Sequence, residues 1–164
     1  MIEIIDGSTH EMVQCSCVLF REYGMSIADV AACSLEHQGF DDELADLPGR
    51  YGAARGGRLL LALCDGQPAG CIALRALPEL GAHVCEMKRM YVRPVCRGLG
   101  VGRMLADRLI IEARRLGYTV MKLDTDTDDR FAAAMALYRS LGFVECARYN
   151  ADPDPKTIWF EKNL

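Results

Sequence analysis

The sequence predicts an α/β protein built on a mixed sheet. Three observations carry that expectation. Apolar runs of strand length alternate with segments of helical period along the 164 residues. Asp65-Gly66 stands between two apolar runs, a strong mark of a hairpin. The segment Gly98-Leu99-Gly100-Val101-Gly102 leads from an apolar strand end into a long amphipathic stretch. The resulting order, strand, helices, hairpin, strand, helix, strand, helix, strands, is that of an α/β fold. At this length one domain spanning residues 1–164 is expected, with enough volume for a proper core.

Each element has its own signal. Ile2 to Asp6 reads as a short strand. Met12 to Arg21 is helical, with Met12, Cys15 and Leu19 on one face, and a second helix is expected over Ile27 to Glu36, ending near Gly39. Asp41 to Leu47 reads as a further helical turn closed by Pro48-Gly49. Arg58 to Cys64 and Ala69 to Leu77 form the hairpin, and His83 to Val92 is the next strand. Gly100 to Leu116 is a helix whose Val101, Met104, Leu105, Leu109, Ala113 and Leu116 make one apolar stripe, with Gly117 as its C-terminal cap. Thr119 to Asp124 is a strand, Arg130 to Leu141 a helix ending at Gly142. Phe143 to Arg148 and Thr157 to Glu161 close the chain as strands on either side of Asp152-Pro153-Asp154-Pro155.

Charge and composition narrow the function. The formal net charge is −4, and the basic residues Lys88, Arg89, Arg93, Arg97 and Arg103 gather around the glycine turn. That pattern suits one small polyphosphate and argues against a nucleic-acid duplex, which needs many clustered cations. Hydrophobic residues make up 51%, yet no apolar run reaches the roughly 18–20 residues of a membrane span. Met1-Ile2-Glu3-Ile4-Ile5-Asp6 carries an early acid and no cleavage site, so a cytoplasmic protein is expected. The eight cysteines show no Cys-x-x-Cys pair, and with three histidines they offer no zinc spacing, so no metal is expected. Cys64, Cys71 and Cys85 read as small buried hydrophobes, whereas Cys96 abuts the basic turn, a setting that lowers a thiol pKa.

The glycine turn carries the chemistry. Glycines at 98, 100 and 102 leave successive N–H groups uncovered, and a helix start adds unpaired N–H groups and a positive dipole end. Together these make a diphosphate pocket, although the same glycines can also serve simply as a strand-to-helix turn. A P-loop is excluded because Gly102-Arg103-Met104 replaces Gly-Lys-Ser/Thr. A dinucleotide fold is excluded because the turn lies past mid-chain and Met104-Leu105-Ala106 supplies no third glycine. What matches is Arg-x-x-Gly-x-Gly, as Arg97, Gly100 and Gly102. This resembles the acyl-CoA-binding motif of the GNAT N-acetyltransferase superfamily. Glu86 to Val92 is similar to that family's fourth strand, and Leu137-Tyr138…Gly142-Phe143 to its Leu-Tyr-x-x-x-Gly-Phe segment. The likeness covers roughly residues 57–148 and is weak in the first 50.

The resemblance implies a mostly antiparallel central sheet with flanking helices, acetyl-CoA as co-substrate, and acetyl transfer to a primary amine. It assigns the binding of acetyl-CoA to Met90, Tyr91 and Val92 at a splayed strand end, with Arg97, Gly98, Leu99, Gly100, Val101, Gly102 and Arg103 around the diphosphate. Tyr138 matches the family's general acid, a phenol able to protonate the departing thiolate; its other reading is ring packing alone. Glu86 matches the position of a base acting directly or through water; its other reading is an ion pair with Lys88 or Arg89. The acidic run Asp124 to Asp129 fails as an EF-hand and reads as a loop with a helix N-cap at Asp128 or Asp129. It stands where relatives carry an asparagine, and its charge would favour a cationic amine. Tyr23, Phe40, Arg50 and Tyr51 are expected to line the acceptor pocket, with Arg50 placed to hold a carboxylate. The partner is thus a small-molecule or peptide amine, with a homodimer left open. An inactive acyl-CoA sensor, or a regulatory protein using the first 50 residues as an interface, is the alternative.

Overall fold

In the computed structural model, which describes residues 1–164, the chain runs β1 (Ile2–Asp6), α1 (Val13–His37), α2 (Phe40–Ala45), β2 (Arg58–Cys64), β3 (Gln67–Ala76), β4 (Val84–Val92), α3 (Val101–Arg115), β5 (Val120–Asp126), α4 (Ala132–Ser140), β6 (Val144–Glu145) and β7 (Thr157–Asn163). The strands form one sheet in the order β1-β2-β3-β4-β5-β7-β6. Every neighbouring pair is antiparallel except β4 and β5. The hairpin between β2 and β3 turns through Asp65 and Gly66, both at positive φ, as its sequence requires. No helix is long and apolar enough to cross a membrane.

Alternation along the strands makes two cores. Leu60, Ala62, Ile72 and Leu74 face α3, where they meet Leu105, Leu109 and Ala113. Leu59, Leu61, Cys71 and Ala73 face the other way, onto Leu19 and Phe20 of α1. Each leucine, isoleucine or phenylalanine among them, fully buried, stabilises the fold by about 1.5–3 kcal/mol. Both sheet faces are therefore covered by helices; β2 is apolar almost throughout, whereas the central strand β4 buries Glu86, Lys88 and Arg89 among its apolar residues. The thiols of Cys71 and Cys85 sit inside these cores; burial raises both, Cys85 to about 12.

Three expectations change. The two helices expected over Met12 to Arg21 and Ile27 to Glu36 run together as α1, and the break falls at a kink at Ala31, with φ −127° and ψ 20°, instead of between Arg21 and Ile27. Gly24 does not break it, because that glycine serves packing: a Cβ there would stand 2.6 Å from the Phe40 ring. On α3, Met104 is 39% exposed and leaves the apolar stripe that Val101, Leu105, Leu109 and Ala113 form. The strand expected over Phe143 to Arg148 shrinks to Val144–Glu145. Beyond Cys146, whose N–H still bonds the Trp159 carbonyl, Arg148 ties the chain to the Asn150 and Asp152 carbonyls in place of a ladder.

The feature that positions the site is a parting of strands. β4 and β5 pair only from Val84↔Val120 to Glu86↔Lys122. Beyond Glu86, β4 stays with β3 while β5 stays with β7, and a cleft opens between them. β4 carries a bulge at the same level: its register with β3 shifts between Cys71 and Ala73, and Arg89 takes a φ of +58°.

Candidate active site

Arg89 sits in a conformation that a non-glycine residue adopts only when its surroundings hold it there. Here they do. Its guanidinium donates to both Glu43 oxygens, at 2.8 and 3.1 Å, and to Gln38 Oε1 at 2.9 Å. The Phe40 ring lies 5.0 Å and the Tyr23 ring 5.9 Å from it. Burial of Glu43 would raise its pKa, but the Arg89 hydrogen bonds and charge outweigh that, and the carboxyl stays below its usual range. The ion pair thus locks α1 and α2 onto the bulge.

Past the bulge β4 faces the cleft. The Arg93 N–H donates to the Ala69 carbonyl on β3 at 2.9 Å. By alternation, the backbone groups of Met90 and Val92 point to the opposite edge, towards the cleft. The Val92 carbonyl accepts there from Arg97 Nε at 3.0 Å. Tyr91 packs its ring into the α1 core, 6.5 Å from that of Tyr23. Arg93 is anchored by Glu22 and by the Pro68 carbonyl, fixing the strand end to α1 and β3.

The turn after β4 presents backbone donors. From Gly98 to Arg103, six successive N–H groups have no acceptor in the protein; the first bond of α3 runs from the Met104 N–H to Gly100. Gly98 and Gly100 stand at φ +78° and +80°, which explains their identity by conformation. Gly102 is different. Its φ is unremarkable, and a Cβ would meet Leu137 and Val92 at 3.6 and 3.7 Å, ordinary contact. Nothing in the fold requires glycine there, yet the residue lines the cleft wall. Leu99 points its side chain into solvent and does not line the cleft, whereas Val101 lines it although its side chain is buried in the core. Arg103 is held at the rim by Ser140 and Asp107. Cys96 lines the same cleft.

This cleft, of about 660 Å3, runs past Met90, Phe131 and Ala134 into a smaller cavity of about 80 Å3 between α1 and the parted strands. Tyr138 lines the smaller cavity. Its ring packs edge-on against Phe143 at 6.0 Å and beside Phe160, and no hydrogen bond contributes to its titration. Burial first, then Tyr23 and the charge of Asp124, push the phenol well above its usual range. Ring packing and an available hydroxyl therefore coexist.

Glu86 is placed otherwise than its strand position led us to expect. It is fully buried and does not line the cavity. Arg75 Nε donates to one oxygen at 2.6 Å and the Tyr149 hydroxyl to the other at 2.7 Å, with Lys88 Nζ 3.9 Å away. Arg89 pairs with Glu43 instead. The cavity wall above Glu86 is Lys88, which bonds Asp124 at 2.9 Å across the parted strands. Burial would raise the Asp124 pKa, but Lys88 and the Asn150 amide outweigh it and hold the carboxyl below its usual range.

Of the four residues expected at the acceptor pocket, Tyr23 alone lines it. Phe40 is buried between Gly24 and Arg89. Tyr51 is fully buried in the core beneath α1. Arg50 spends its guanidinium on Glu43 and the Gln38 carbonyl. The loop before the hairpin folds under α1 because Gly57 brings its backbone into contact with that of Arg50 and Tyr51, where a Cβ would stand 2.5 Å away. Sequence reasoning missed Ser34, Gln38, Lys88 and Asp152 as wall residues, and read Asp124 and Asp126 as part of an acidic loop whose charge would favour a cationic amine. The alternating aspartates of β5 were a legible signal, since residues two apart share a strand face. The reach of Asp152 from a distant loop was not.

Comparison with known proteins agrees with this geometry. The model of the Acetyltransferase (GNAT) family matches residues 25–143. An uncharacterised N-acetyltransferase of Schizosaccharomyces pombe is 37% identical over 144 residues, covering 88% of this chain and 81% of that protein. An acetyltransferase crystal structure from Streptococcus agalactiae superposes with a TM-score of 0.77 at 24% identity, covering 99% and 98% of the two chains. A putative acetyltransferase from Salmonella typhimurium, solved with its cofactor acetyl-CoA, superposes at 0.71 with 23% identity, covering 99% and 94%.

Proposed function

Because the chain belongs to the GNAT acetyltransferase family, we propose that it moves an acetyl group from acetyl-CoA directly to a primary amine. The observation that carries this reading is the run of six unpaired N–H groups from Gly98 to Arg103, opening onto a cleft that ends at Tyr138. Such a run suits a diphosphate, because each N–H offers a fixed partial positive charge at the start of a 15-residue helix. The bare Cα of Gly102 fits the same purpose, as a Cβ would occupy groove space that the fold itself leaves free. The Salmonella relative, of the same fold, binds acetyl-CoA.

Each residue then has a task. The N–H groups of the turn hold the diphosphate, with Arg97 and Arg103 beside them. The backbone edge of Met90 and Val92 orients the arm that leads inward. Acetyl-CoA supplies an activated thioester, whose C–S bond breaks as the C–N bond forms. Tyr138 donates its proton to the departing sulfur; its raised pKa keeps that proton in place until it is needed. The amine loses its own proton to water in the cavity. Glu86, sealed behind Arg75 and Tyr149, keeps Lys88 and Arg75 in position and is not assigned the base.

Acetyl-CoA at millimolar concentration should raise the melting temperature, since a ligand selective for the folded state stabilises it. A panel of primary amines with detection of released thiol then reads turnover. Absence of any thermal shift would overturn the acyl donor, and a shift without release of CoA on any amine would leave a sensor.

A further inference from the structure

The wall of the smaller cavity is not electrically balanced. Four cations lie on or just behind it: Arg50, Arg75, Lys88 and Arg89. Each is committed, Arg75 to Glu86, Lys88 to Asp124, and Arg89 and Arg50 to Glu43. Two further carboxylates, Asp126 and Asp152, are 6% and 3% exposed and have no cation within 4 Å. Arg130 and Lys156, the cations nearest in sequence, stand within 4 Å of Asp128 instead. Arg148 reaches the Asp152 main-chain carbonyl and not its carboxylate.

The two carboxylates stand together. Asp126 is the register partner of Thr157 across β5 and β7, so their side chains share a face. The Thr157 hydroxyl donates to Asp152 at 3.2 Å. Asp152 is otherwise satisfied by neutral donors, Ser34 and Gln38 of α1 and the Asp154 N–H. Asp126 accepts only the Asp128 N–H, through Oδ1, leaving Oδ2 without a partner in the cavity wall. Two near-buried carboxylates that line one cavity with no cation within 4 Å are costly to keep charged, and a cation taken up there removes the cost. A second observation marks the same space as a ligand site: the Tyr138 hydroxyl, on a side chain more than nine-tenths buried, opens into it with no hydrogen bond.

Resting on the transferase reading above, we propose that the acceptor is a short aliphatic diamine: one nitrogen is acetylated beside Tyr138 while the other, as an ammonium, sits between Asp126 and Asp152. The spacing agrees. Asp126 lies two residues beyond Asp124 on the same strand face, about 7 Å along β5, and Asp124 is the carboxylate whose charge reaches Tyr138. Two nitrogens joined by four carbons are about 6 Å apart when extended. The cavity, at about 80 Å3, has room for a small acceptor. A carboxylate-bearing acceptor would instead set a third negative charge against Asp126 and Asp152.

Three acceptors of one length separate the terms: 1,4-diaminobutane, n-butylamine and 4-aminobutanoate, each with acetyl-CoA and the full chain. The diamine should exceed butylamine in kcat/KM by about tenfold or more, with 4-aminobutanoate the poorest. Asp126→Asn keeps an oxygen for the Asp128 N–H, so the fold is retained. It should raise the KM for the diamine about tenfold while leaving the KM values for butylamine and acetyl-CoA in place. Equal kcat/KM for diamine and monoamine, preference for 4-aminobutanoate, or an unmoved diamine KM in the variant overturns the proposal and leaves the transferase reading standing. No turnover of the diamine overturns it as well, and if acetyl-CoA also fails to stabilise the protein, the transferase reading falls with it.

Discussion

Gly102 separates what the fold needs from what the acyl donor needs. In Gly102→Ala the new methyl would lie 3.6 Å from Leu137 and 3.7 Å from Val92, with no strain in φ. Alanine is the better helix former by about 1 kcal/mol, an upper limit in a first turn. The ligand-free melting temperature should therefore hold or rise, by at most about 2–4 °C for a chain of this size. At an acetyl-CoA concentration of 100 times Kd, the wild type gains about 2.7 kcal/mol, or roughly 5–10 °C. A tenfold loss of affinity would cut that gain to about 1.4 kcal/mol at the same concentration. Gly100→Ala provides the contrast, because at φ +80° it forces a left-handed alanine. It should cost about 1–2 kcal/mol before any ligand is added. Differential scanning fluorimetry with and without acetyl-CoA reads both quantities in one titration. If Gly102→Ala and the larger Gly102→Leu both keep the full acetyl-CoA shift, the groove beside Gly102 is not where the ligand runs, and the argument from its bare Cα is refuted.

Tyr138→Phe should lower kcat by roughly 10²–10⁴-fold with the acetyl-CoA KM unchanged, and an unchanged kcat would retire the hydroxyl as proton donor. Burial holds the Tyr138 and Tyr149 phenols above their ordinary value near 10. Their contribution to stability is therefore full below pH 10 and is lost as pH climbs from there; a urea midpoint that does not fall above pH 10 would contradict their burial. Glu43→Gln strands the buried Arg89 charge and should destabilise the fold by about 3–5 kcal/mol in urea unfolding, whereas a loss under 1 kcal/mol would mean that Glu43 does not hold the bulge. Glu86→Gln should leave the shape of the pH–rate profile intact, and disappearance of the acidic limb would restore Glu86 as the base.

The sequence by itself determined most of the elements and the glycine turn whose N–H groups stand free, because both are written in local chemistry. The Asp65-Gly66 turn, the stripe of α3 and the glycines at 98 and 100 act through the conformations of the residues themselves and of their immediate neighbours. Gly117 follows α3 at φ +86° as read, and Asp128 accepts from the Arg130 N–H at the 3-10 turn Asp129–Phe131 that leads into α4. Where a residue's role depends on what lies across the fold, tertiary structure alone decided it. Gly24 falls between the two helices expected over Met12 to Arg21 and Ile27 to Glu36, yet it is a seat inside α1 for Phe40, a ring 16 positions away. Glu86 looked poised beside Lys88 and Arg89, but Arg75 lies opposite it on β3 and Tyr149 arrives from a loop 63 residues on. Arg50 and Tyr51 were expected to line the acceptor pocket, yet the approach of Gly57 turns Tyr51 into the core beneath α1 and leaves Arg50 paired with Glu43. Asp152, in a proline-punctuated loop, accepts from Ser34 across 118 residues and so joins the wall of the smaller cavity. A carboxylate's or an arginine's task is set by its nearest opposite charge and by its access to water, and in a sheet covered on both faces that neighbour comes from another part of the chain.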